Sequence, residues 1–287
     1  MDGARLRAVA MTLVAAALWG TSFPIIKVGL RGISPAVFLF FRFLIATSLL
    51  LAIAWASGIS RRVFLDRRLM LLGFIFSLSF FFQYLGQTST AAGEAAVLLN
   101  TTPIIVPLMS YSAIQERLGR ERYAAAAVGM GGIVLMSGIL DSSGGGSGAI
   151  GVSMMLLSAI ATSAYIIVTK RLSSDIRPME FYPPVFLYGT LFMFAYMLLF
   201  GSNYGAAWGS TAAIASVLYL SVACSILPFF LWYWGLQHLS ATASSVVTLF
   251  EPVVAIVVSV AFIGEVFGIV QLAGTALIFV AILVISR

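Results

Sequence analysis

At 287 residues the chain is long enough for one or two domains, but 61% hydrophobic and only 9% charged residues lie far from the balance of a water-soluble globule. The formal net charge of +6 comes from short basic clusters between apolar runs, not from a stripe or tail, so the charge orients a membrane protein and no nucleic-acid partner is expected. The one cysteine, Cys224, sits inside an apolar segment, which excludes a disulfide framework and thiol metal sites; no metal or cofactor is expected.

A helix crossing ~30 Å of hydrocarbon needs roughly 20 apolar residues. Runs of that length predict ten spans, at 8–29, 35–56, 69–89, 93–114, 121–140, 149–170, 179–200, 212–235, 241–262 and 267–285. Arg5 and Arg7 before the first run imitate a secretory leader, yet the run continues to about Val28 and further spans follow, so the first helix is read as uncleaved. The second span carries Arg42, and the third carries Gln83 and Gln87 one turn apart with Tyr84 adjacent. Pro103 interrupts the fourth; Ala125 and Gly129 leave room for close packing in the fifth. Asp141–Gly148, reading DSSGGGSG, is a flexible polar joint. The eighth span contributes Trp232 and Tyr233, and the ninth contains Glu251 followed by Pro252.

Basic residues fall lopsidedly on alternate loops. With the N-terminus inside, Arg5, Arg7, Arg61, Arg62, Arg67, Arg68, Arg117, Arg120, Arg122, Lys170, Arg171, Arg177 and Arg287 are cytoplasmic, against Lys27 and Arg31 outside. Both termini are therefore expected in the cytoplasm, with the chain in a bacterial-type inner membrane. The sequence also repeats itself. An offset of 143 pairs Lys27 with Lys170, Pro35 with Pro178 and Phe38 with Phe181; an offset of 149 pairs Tyr84 with Tyr233, Gly86 with Gly235, Pro103 with Pro252 and Glu116 with Glu265. Residues 1–141 and 149–287, joined by 142–148, are thus read as two five-helix repeats of one transport domain. Five is odd, so the second repeat enters from the opposite side. The expected fold is an all-α integral membrane protein whose two inverted halves can alternate around a midplane site.

Trp19-Gly20-Thr21-Ser22-Phe23, Pro35 with Phe41-Arg42-Phe43, Asn100-Thr101-Thr102-Pro103 and Glu251-Pro252-Val253 with Gly264-Glu265, in this order, resemble the EamA-type transporters of the drug/metabolite transporter superfamily. The resemblance spans nearly the whole chain. It implies export of small metabolites, amino acids first, from a central cavity lined by the first, third and fourth helices of each repeat. Trp19, Asn100 and Tyr165 join the candidate substrate contacts on the strength of those helices.

Ionisable groups in a span cost roughly 2.5–3.5 kcal/mol and face the bundle interior or a water-filled cavity. Arg42 and Glu251 fall at depths about 5 Å apart at ~1.5 Å per residue, close enough to pair. Glu251 either contacts a substrate ammonium or carries a coupling proton, or else the two form a structural ion pair. It shares a stripe with Ser244, Thr248, Ala255 and Ser259, expected to face inward. Gln83, Tyr84, Gln87, Trp232 and Tyr233 suit an amphipathic solute, or serve as interhelical contacts. Pro103 and Pro252 lack a backbone N–H and are candidate hinges. Lys27 is expected to snorkel to the outer interface, and Glu94, Glu116 and Glu265 to act as caps or gate contacts.

An enzyme is not expected: His238, the one histidine, falls in a predicted loop, and HExxH, GxSxG and a Walker-type glycine loop are missing. The competing functions are a multidrug or nucleotide-metabolite exporter and a non-transporting scaffold or receptor. Expected partners are a small-molecule substrate, the lipid bilayer and, as a coupling ion, protons.

Overall fold

A computed structural model describes residues 3–114, 121, 124, 127–129, 131, 132, 135, 148–202 and 210–285. Every regular element among them is helical. The first half contains α1 (Gly3–Gly29), α2 (Pro35–Ala56), a 3-10 turn at Arg61–Leu65, α3 (Arg67–Gln87), α4 (Ala92–Leu99) and α5 (Thr102–Ile114). The second contains α6 (Ala149–Leu172), α7 (Pro178–Phe200), α8 (Thr211–Val222), α9 (Leu227–His238), α10 (Ala241–Val247), α11 (Phe250–Val258), a π turn at Ser259–Ile263 and α12 (Ile269–Ile285).

Eight stretches among the described residues are long and apolar enough to cross a membrane, which makes this a multi-pass membrane protein. The first, second, third, sixth and seventh predicted spans are single helices. The tenth corresponds to α12, and most of the fifth, with Ala125 and Glu116, lies outside the described residues. The remaining three are interrupted, at Asn100–Thr101, at Ala223–Ile226 and at Thr248–Leu249. A proline explains each break: Pro103, Pro228 and Pro252 sit in the first turn of the downstream helix, where the missing N–H is harmless, and leave a carbonyl upstream without its helical donor. One expectation is corrected here. His238 is not in a loop but ends α9, its Nδ1 2.9 Å from Trp234 O.

The bundle packs an aromatic and aliphatic core threaded with small hydroxyls and turns large apolar side chains outward, as a lipid solvent allows. Thr12, Ser77, Ser163 and Ser221 are fully buried, while Phe74, Leu198, Val257 and Phe262 are exposed. Helix α3 packs on α6 and α7, α1 on α9 and α11, and α2 on α7 and α8. Hydroxyls tie these pairs together: Ser79 Oγ lies 2.6 Å from Thr162 Oγ1, and Ser158 Oγ donates to Ser79 O at 2.8 Å. The α2–α7 contact is reciprocal. Thr47 and Thr190 hydroxyls meet at 2.7 Å, Thr47 donates to Phe186 O and Thr190 to Phe43 O, both at 3.3 Å. Both residue pairs, 43/186 and 47/190, are separated by the offset of 143 found in the sequence. Gly20 seats α1 against α11, because a Cβ there would lie 2.6 Å from Glu251 O.

At the rim of the bundle, Asp66 caps α3, accepting from Arg68 N at 2.8 Å. The Arg68 guanidinium beside it holds the Asp66 carboxyl below the usual carboxylate range.

Candidate functional site

A central cavity with about 740 Å³ of empty space, counting its open side, lies among α1, α3, the α4–α5 break, α6, α9 and the α10–α11 break. Its wall is aromatic. Trp19 meets Phe229 edge-on at 5.0 Å, Tyr165 stacks with Trp232 at 6.1 Å, and Phe76 bridges Tyr165 and Phe229 at 5.5 and 5.4 Å. Phe80 completes the cage beside Phe229. Polar groups converge on this apolar wall, a combination that suits an amphipathic small molecule. They are Ser22, Ser79, Gln83, Asn100, Thr102, Thr162, Thr248, Glu251 and Arg42.

Local backbone chemistry positions several of them. Pro228 cannot donate to the carbonyl four residues back, so Cys224 O is left free at the α8–α9 turn. Trp19 Nε1 donates to it at 3.2 Å and Arg42 Nη2 at 3.4 Å. One proline thereby fixes both an aromatic wall residue and a buried cation. At the other breaks, Asn100 and Thr102 flank the start of α5, while Thr248 and Glu251 flank the start of α11. Asn100 Nδ2 donates to Ala96 O at 3.1 Å, and the same amide faces the Glu251 carboxyl.

Of the candidate contacts read from sequence, Trp19, Gln83, Asn100, Tyr165, Trp232 and Glu251 line the cavity. Tyr84, Gln87 and Tyr233 are buried but are not part of the lining. Tyr84 and Tyr233 each follow a lining residue and are turned about 100° away from it. Tyr84 OH accepts from Arg42 Nη1 at 3.0 Å, and Tyr233 OH donates to Ile176 O at 2.8 Å. Gln87 is on the Gln83 face but one turn nearer the end of α3, where its side-chain amide has no hydrogen-bond partner among the described residues. Pro103 and Pro252 are at the two breaks, and the stripe Ser244, Thr248, Glu251, Ala255, Ser259 is buried throughout.

The expected Arg42–Glu251 ion pair is not formed. The two salt bridges among the described residues are Arg68–Asp66 and Arg177–Glu180. The neutral acceptors of the α8–α9 turn and Tyr84 hold the guanidinium instead. Lys27, partly exposed, donates to Gln87 O at 3.0 Å and Thr90 O at 2.6 Å, at the end of α3. Glu94, in the first turn of α4, is 1% exposed. Glu265 is a cap, of α4 rather than of its own span, accepting from Ala92 N at 2.7 Å and Gly93 N at 3.2 Å.

Sequence reading missed Phe76, Phe80 and Phe229, because any one phenylalanine among 22 carries little signal, and Ser22, Ser79, Thr102 and Thr162, small hydroxyls that equally suit helix packing. The repeat offsets would have found several. Trp19/Thr162 and Ser22/Tyr165 differ by 143, while Phe80/Phe229, Gln83/Trp232, Leu99/Thr248 and Thr102/Glu251 differ by 149, and all twelve line the cavity.

A model of the EamA-like transporter family matches residues 6–138 and again residues 149–287. The chain is 27% identical over 283 residues to a protein of Streptantibioticus cattleyicolor named a probable terminal-alkyne amino-acid exporter, covering 98% of this chain and 94% of that one. It is 26% identical to an uncharacterized transporter of Archaeoglobus fulgidus (82% of each chain) and 26% identical to the uncharacterized transporter YdfC of Bacillus subtilis (90% of this chain, 83% of the other). A solved crystal structure of 19% identity superposes with a TM-score of 0.71 over 96% of this chain and 95% of that one, a likeness of fold. With a family match to both halves and transporters among its relatives, this chain belongs to the EamA-like transporter family.

Proposed function

We propose that this protein is a secondary transporter that exports small metabolites, amino acids first, by alternating access around the central cavity. The observation that carries the reading is the pairing of the lining: six residue pairs related by the two sequence offsets meet around one space. A site built on the axis between two inverted five-helix repeats, ten helices in all, would have such a lining, and rocking one half against the other would expose it to either side in turn. The reciprocal Thr47–Thr190 contact supports the same axis. Pro103 and Pro252 act as the hinges. Trp19, Gln83, Asn100, Tyr165, Trp232 and Glu251 contact the solute, while Tyr84, Gln87 and Tyr233 brace them. The excess of Lys and Arg in alternate loops of the sequence supports both termini in the cytoplasm of an inner membrane. Amino acids stand first because the cavity combines an aromatic wall with buried groups of both charges, and because one relative bears the name of an amino-acid exporter. Energy comes from exchange or from protons carried on Glu251, without nucleotide.

The test is counterflow in liposomes with labelled amino acids, nucleosides and amphipathic cations, without nucleotide. Saturable amino-acid flux above empty liposomes is expected. Folded protein that moves none of the panel would overturn the transport reading in favour of a scaffold or receptor, and an absolute ATP requirement would overturn the coupling.

A further inference from the structure

Arg42 enters the cavity from behind. It comes from α2, outside the six segments that supply the rest of the wall, and still lines the space. Arg42 is 1% exposed, yet its hydrogen-bond partners among the described residues are neutral. Nε donates to Ser225 Oγ at 3.0 Å, Nη1 to Tyr84 OH at 3.0 Å and Nη2 to Cys224 O at 3.4 Å. The Phe43 and Phe80 rings lie 5.0 and 5.2 Å from its Cζ. No carboxylate among the described residues pairs with it. A guanidinium has five N–H donors, and these bonds engage three. A cation buried in a lipid-surrounded bundle, with donors to spare and no counter-charge, is built to meet an anion that arrives from elsewhere.

The repeat offsets sharpen the point. The position equivalent to Arg42 is Val185, and the position equivalent to Glu251 is Thr102. The cage is doubled, but the cation and the carboxyl each occur once, so the cavity has a fixed electrical direction across an otherwise symmetric space. Neither charge neutralises the other by direct contact. A solute with an acidic and a basic end supplies both missing partners, and a planar carboxylate fits the fork of a guanidinium better than it fits a point charge.

We propose that Arg42 is the carboxylate-binding residue of this cavity, and that its ligands are free amino acids whose carboxylate docks on the guanidinium while the ammonium lies toward Glu251. This deepens the transport reading and rests on it. Binding is read from tryptophan fluorescence, since Trp19 and Trp232 line the space, using L-phenylalanine and L-leucine, each beside its amide and its decarboxylated amine. Wild-type protein is expected to bind the acids on the order of 10- to 100-fold more tightly than the amides, the worth of one charge-assisted contact. Arg42→Gln is expected to weaken the acids more than the amides, so that the preference is lost, and Arg42→Lys retains part of it. Equal affinity of the wild type for acid and amide, no binding of the acids, or an Arg42→Gln variant that weakens acid and amide alike, would overturn the assignment. The wild-type comparison stands even if the variant does not fold. Liposome flux is measured in parallel: acid-selective binding without flux removes the transport reading and leaves the Arg42 site, whereas flux without acid preference does the reverse.

Discussion

Two of the three interrupted spans beside the cavity have nearly the same backbone and different chemistry. In each, a helix stops, two residues turn, and a proline sits in the first turn of the next helix: Leu99 to Thr102 with Pro103, and Val247 to Phe250 with Pro252. What they offer the cavity differs. The first break presents Asn100 and Thr102; the second presents Thr248 and Glu251. A proline dictates where a helix can break, so the architecture is repeated, whereas nothing in the backbone requires a carboxyl at one break and a hydroxyl at the other. In the proposed transporter the difference answers to the solute, and the shared part to the fold.

That division breaks most visibly at Glu251. Counterflow by Glu251→Gln is expected to fall on the order of 10- to 100-fold, while Thr102→Val, at the equivalent position, changes it by less than about threefold, because only the first loses a charged contact. Full flux by Glu251→Gln with an unchanged pH dependence would mean that the carboxyl serves neither solute nor proton.

A smaller effect is expected where the two breaks are alike. Pro103→Ala and Pro252→Ala each restore an N–H that can bond the carbonyl four residues back, which favours a continuous helix over a hinge. Each variant should lose flux severalfold and to a similar extent, with binding measured by tryptophan fluorescence little changed. Unequal losses would assign the hinge to one break alone, and no loss would leave the prolines as packing features.

Most helices, and the breaks at Pro103 and Pro252, were legible in the sequence because both rest on local chemistry: twenty apolar residues in a row, or a proline that lacks a donor. The same holds for the cavity residues that are chemically unusual in a span, such as Glu251, Gln83 and Asn100. What was not legible depends on competition between distant partners. Arg42 and Glu251 are at similar depth, and only the fold reveals that Pro228 frees the Cys224 carbonyl for the guanidinium. Tyr84 and Tyr233 are aromatic and mid-span, yet a rotation of about 100° from their neighbours decides that they brace the wall instead of forming it. The eighth span read as one helix because its composition is uniformly apolar, and hydropathy does not register a turn inside it.

The finest comparison lies at the ends of the bundle. Lys27 and Lys170, 143 residues apart, donate to Gln87 O and Leu236 O, which are 149 apart, so one contact occurs twice. Lys27 makes a second bond, to Thr90 O, and has Glu265 and Glu94 nearby, whereas Lys170 makes one bond among the described residues. Each lysine ties the end of one helix to another at a bundle rim, and the lysine with more partners should hold more tightly. In detergent, Lys27→Met is expected to lower the apparent melting temperature more than Lys170→Met, by the equivalent of about 1 kcal/mol, since one additional hydrogen bond from a partly hydrated ammonium is worth no more. Equal shifts would show that the extra carbonyl and the nearby acids add nothing, and that the contact common to both halves carries the whole effect.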